Sequence, residues 1–83
     1  MRNELTIAVG ELYQGIAHHH WHGKSFRQFW EWFNHRCIAL VAAAEAGELD
    51  ALEAALLEVR TAVEDGGYIV SSDRLDEIIE PPM

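Results

Sequence analysis

The sequence predicts a small all-α domain: three helices with a central antiparallel helical hairpin and a short C-terminal helical turn. Apolar residues recur at steps of three and four in three successive stretches, the pattern of helices that each bury one face. Glycine-bearing turns separate those stretches, and the one extended candidate, Tyr68 to Val70, is too short to support a sheet. With 83 residues and no internal repeat, the chain is expected to form one domain around one core.

The first helix is expected over residues 4 to 18, where Leu5, Val9, Leu12 and Ile16 fall on one face and Asn3 stands as N-cap. Gly10 and Gly15 each cost about 1 kcal/mol relative to Ala in a helix interior. With the β-branched residues between Thr6 and Val9, they leave a short hairpin as a competing reading. Residues 17 to 24, AHHHWHGK, end the helix and turn the chain, with Gly23 suited to a left-handed stop.

Ser25 opens the second helix, expected over 25 to 46, with Gln28 at the capping-box position. Phe26, Phe29, Trp30, Phe33, Cys37, Leu40, Val41 and Ala44 form its apolar stripe. After Gly47 a third helix is expected over 48 to 64, where Leu49, Leu52, Leu56, Val59 and Val63 alternate in steps of three and four until Asp65-Gly66-Gly67. So short a link implies that the second and third helices run antiparallel. Ser72 or Asp73 then caps a last helical turn carrying Leu75, Ile78 and Ile79, which Pro81-Pro82 terminates.

Residues 43 to 57, AAEAGELDALEAALL, resemble the helix, glycine turn and helix portion of an ankyrin repeat. The resemblance covers those fifteen residues alone: no Thr-Pro-Leu-His box precedes them and no second copy follows. It implies a local helical hairpin and nothing about activity.

A hydrophobic fraction of 49% with 24% charged residues is the balance of a folded protein. Cys37 is the only cysteine, so no intramolecular disulfide forms, and a cytoplasmic location is expected. Glu4 and Glu11 interrupt the first apolar run, against an export signal, and Ile38 to Ala44 is far shorter than the roughly 20 residues of a membrane span. A core this small leaves a thin stability margin that self-association often remedies, so a homodimer is expected.

The net charge of −8 is unevenly placed. Residues 1 to 44 carry four basic and three acidic side chains, whereas residues 45 to 83 carry two basic and eleven acidic. Such a chain repels phosphate backbones, and direct nucleic-acid binding is not expected. Most of the carboxylates read as a solvated face; the functional alternative is a surface, including Glu58, Asp65, Asp73, Asp76 and Glu77, that engages a basic protein groove as small inhibitor proteins of phage or mobile-element type do.

Four of the five histidines lie within five residues. On a continuous helix His18 and His22 would share a face one turn apart, a spacing that holds Zn, Ni or Cu between two imidazoles, and His35 is a further donor if the second helix folds back. The competing reading is a polar turn with ordinary hydrogen bonds, and no cofactor is expected on it.

Six of the eight aromatic residues fall between Trp21 and Phe33. Trp32 points away from the apolar stripe, and two readings stand open: the first helix covers it, or Trp21, Trp32, His35 and Arg36 form a contact surface for a protein partner. Nucleophile-elbow, P-loop and dinucleotide motifs are lacking, and Cys37 lies on the apolar stripe, so catalysis has no candidate geometry. The expected function is a non-catalytic protein–protein interaction module, a small acidic adaptor or inhibitor of a larger assembly; the alternative is a transition-metal-binding protein.

Overall fold

The structure, a computed structural model, describes residues 2–80 apart from the side chain of His18. Three long helices carry the fold: α1 (Asn3–Gly15), α2 (Phe26–Ala43) and α3 (Leu49–Asp65). Single 3-10 turns lie at His18–His20, Ala46–Glu48 and Ser72–Arg74. No strand occurs among the described residues, so the all-α class holds.

Most of the apolar stripes become the core; Val41, expected on the stripe of α2, is instead 45% exposed. Leu5, Leu12 and Ile16, Phe29, Phe33 and Leu40, and Leu52, Val59 and Val63 are buried together with Trp21, Tyr68 and Ile79. The three helices touch pairwise. The start of α1 meets the link between the other two helices, where Arg2 reaches Ala43 and Glu48, while its end meets Trp21 and Tyr68.

Capping explains where the helices begin. At Ser25 both halves of the capping box form: the Gln28 backbone N–H donates to Ser25 Oγ at 3.2 Å, and the Ser25 N–H donates to the Gln28 side chain at 2.9 Å. Asn3 does not cap α1, contrary to the expectation; it is the first helical residue, and Arg2 precedes it without a side-chain cap. The link before α3 is held instead by a capping box between Glu45 and Glu48.

Gly23 has φ +87°, the left-handed geometry expected of a turn glycine, and the chain leaves it into the Ser25 cap. The first helix stops at Gly15, three residues before the expected end, and His18–His20 form a separate 3-10 turn.

The C-terminal segment departs most from expectation. Its helical turn covers only Ser72–Arg74, with Ser71 rather than Ser72 or Asp73 preceding it. Ile78 and Ile79 are extended: Ser25 and Ile78 form an isolated antiparallel bridge, the Ile79 N–H donates to Lys24 O at 2.8 Å, and the Gly23 N–H donates to Ile79 O at 3.1 Å. The first N–H groups of α2, which have no partner inside the helix, find carbonyls on this segment, Phe26 N to Glu77 O and Arg27 N to Leu75 O. That satisfaction of helix-end donors outweighs the helical spacing of Leu75, Ile78 and Ile79. The expected Pro81-Pro82 terminator lies outside the described residues.

Candidate functional site

At one end of the molecule the aromatic residues close on one another. Phe29 stacks on Tyr68 with ring centroids 3.9 Å apart and on Phe33 at 5.9 Å, and Trp21 meets Phe29 edge-on at 5.1 Å. The polar atoms of these rings are satisfied from within. Trp21 Nε1 donates to Gly15 O at 2.7 Å, Trp30 Nε1 donates to Tyr68 O at 3.0 Å, and the Tyr68 hydroxyl donates to Ile16 O. Burial pushes the Tyr68 hydroxyl up to about 12.

This packing decides where the expected contact surface goes. Trp21 is 7% exposed and belongs to the core, so it offers no contact surface, a correction to the expectation. Its orientation follows from the turn at Gly23, which folds residues 17–24 back over α2. Trp32 is half-buried: its ring lies 5.1 Å from that of Trp21 and against Gly15, where a Cβ would stand only 2.7 Å from Trp32 Cη2. The first helix therefore covers most of Trp32, and glycine at position 15 is what lets it do so. His35 and Arg36 are exposed, and Arg36 joins Trp32, Glu11 and Leu12 around a shallow cavity of about 200 Å³.

The histidine-rich turn holds exposed and half-buried side chains. His19 and His20 are exposed with ring centroids 4.0 Å apart, His22 is half-buried, and Lys24 Nζ rests over the Trp21 ring at 5.3 Å. Among the described residues no group of three or more His, Cys, Asp or Glu side chains is placed to hold a metal ion. Of the expected donors His18, His22 and His35, the side chain of His18 lies outside the described residues.

Of the carboxylates singled out from the sequence, Glu58, Asp65, Asp73, Asp76 and Glu77 are all exposed. Asp76 pairs with Arg27 at 2.9 Å and Glu77 with Arg74 at 2.8 Å. A hydrogen bond from Ser71 holds the Asp73 carboxyl below its ordinary range. Glu48 is the exception to the solvated acidic face, only 8% exposed. Its carboxylate accepts from the Glu45 N–H at 3.0 Å and the Arg2 N–H at 2.9 Å, and pairs with Arg2 Nε; the backbone donors lead in drawing it below its ordinary value of 4.5.

Away from the aromatic end, α2 and α3 leave an open groove of about 580 Å³ between them. Cys37, Ile38, Val41 and Ala42 line it from α2, and Glu53, Leu56, Leu57 and Arg60 from α3. Ile38 is 70% exposed, Leu57 66% and Val41 45%. Burial pushes the Cys37 thiol up, opposed by the nearby Arg60 guanidinium. The sequence carried a signal for this surface: Cys37-Ile38 and Leu56-Leu57 are adjacent apolar pairs, wider than a single buried stripe requires.

No helix among the described residues is long and apolar enough to cross a membrane. No protein-family model, curated protein or solved structure matches this chain.

Proposed function

We propose that this chain is a non-catalytic protein–protein interaction module, a small acidic adaptor or inhibitor that engages a larger assembly. The observation that carries the reading is the exposure of Ile38, Val41 and Leu57 along one groove in a chain that buries most of its aromatic surface. Contiguous apolar surface on a small domain marks a site of association rather than of solvation. The exposed carboxylates Glu58, Asp65 and Asp73, which make no ion pair among the described residues, support a partner with a basic surface.

The test is affinity capture from the source cells with the wild-type chain and with an E58K/D65K/D73K variant, read by quantitative mass spectrometry. The reading expects one protein with a basic surface to be enriched by the wild type, released by salt and lost with the variant. Equal capture by both chains would contradict the acidic contact.

A further inference from the structure

We infer that the α2–α3 groove is the interface of a two-fold symmetric homodimer, in which the α3 helices of two copies lie antiparallel and Leu57 of each copy enters the groove of the other. The inference rests on reading the groove as a protein-contact surface, and it commits the groove to a second copy of this chain.

The charges of the lining carry the choice of occupant. Apart from the apolar residues and Cys37, the groove is lined by one anion and one cation, Glu53 and Arg60, both on α3. Seven residues along a helix place them about 10 Å apart, too far to pair with each other. Among the described residues neither takes part in an ion pair. In an antiparallel α3–α3 pair whose axis passes between Leu56 and Leu57, residue 53 of one copy stands level with residue 60 of the other. Both Glu53–Arg60 pairs then form at once, on either side of a central Leu56–Leu57 cluster. A two-fold interface must be complementary to itself, and this lining is.

Shape agrees with charge. Leu57, two-thirds exposed, is a ridge beside a concavity whose far wall is Ile38 and Val41, and the two-fold axis brings each ridge against the other copy's concavity. A parallel arrangement would instead set Glu53 beside Glu53 and Arg60 beside Arg60, which like-charge repulsion disfavours.

Sedimentation equilibrium on the full chain tests this with four proteins: wild type, Leu57→Glu, Glu53→Arg and Arg60→Glu, each checked for helix content by circular dichroism. The wild type is expected to be a reversible dimer and Leu57→Glu a folded monomer. Glu53→Arg sets arginine against arginine and Arg60→Glu sets glutamate against glutamate, so each alone weakens the dimer by about tenfold or more. An equimolar mixture of those two variants places every arginine opposite a glutamate and recovers the wild-type affinity to within about threefold.

A monomeric wild type, or a Leu57→Glu chain that still dimerises, overturns the groove as self-interface while leaving the capture experiment above to judge the interaction-module reading. Separate variants that match their mixture overturn the antiparallel geometry.

Discussion

The two ends of this small bundle solve the same problem in opposite ways. At the aromatic end, Trp21, Phe29, Phe33 and Tyr68 are buried, the indoles of Trp21 and Trp30 and the phenol of Tyr68 donate to carbonyls inside the chain, and the C-terminal segment covers the start of α2. At the groove end, Ile38, Val41 and Leu57 remain in solvent, and the chain is held together by a polar clasp from Arg2 to Glu48 and Ala43. A domain of this size has too little core to cover all its apolar surface. The aromatic end takes the larger share of that cover, although Tyr13, Ile69 and Ile78 stay more than half exposed there, and the exposed apolar residues of the groove lie away from it.

The largest effect is expected at the aromatic end. Phe29 is fully buried and stacked on both Phe33 and Tyr68, so Phe29→Ala should cost about 3–5 kcal/mol, a large share of the stability of a small domain. Urea denaturation checks it. A loss near that of an exposed substitution would break the claim that this end carries the stability.

Next comes Gly15→Ala. Alanine normally favours a helix, but here its Cβ meets the Trp32 ring, and the overpacking should destabilise the chain by about 1–3 kcal/mol and shift Trp32 fluorescence toward that of a solvated indole. A stabilised variant with unchanged fluorescence would show that α1 does not depend on close approach to Trp32.

The polar clasp predicts an acid response at the other end. Glu48 has a folded-state pKa below its ordinary value, so its stabilisation is present above pH 4.5 and is lost as pH falls through the lower folded value. Hydrogen exchange should show the start of α1 and the α2–α3 link losing protection on acidification before the aromatic end does, and Glu48→Gln should flatten that response. Loss of protection at the aromatic end first would reverse the comparison.

The smallest effect on stability belongs to Ile38→Ser under conditions where the chain is monomeric. The residue is 70% exposed, so the change should stay within about 0.5 kcal/mol.

Much of this arrangement was legible in the sequence, because helical spacing records which residues face inward. The stripes of all three helices apart from Val41, the Ser25–Gln28 capping box and the turn at Gly23 appear where the pattern places them. The extended Ile78 and Ile79 were not legible, since what decides them is the unpaired N–H groups at the start of α2, fifty residues away in sequence. Trp21 and Trp32 were ambiguous for a similar reason: their burial depends on how residues 17–24 and α1 fold back. Glu48 looked like one more carboxylate of an acidic face, and only its closeness to Arg2 in space distinguishes it. The groove was written in the adjacent pairs Cys37-Ile38 and Leu56-Leu57, but its opening between α2 and α3 is a property of the fold.

The most direct test of the proposed division, with the core at the aromatic end and self-association at the groove, is a dilution series followed by backbone amide NMR. The account predicts concentration-dependent shifts confined to residues 37–42 and 53–60, with Phe29, Trp32 and Tyr68 unmoved. Spectra that do not change with concentration, or shifts centred on Trp32, would contradict it.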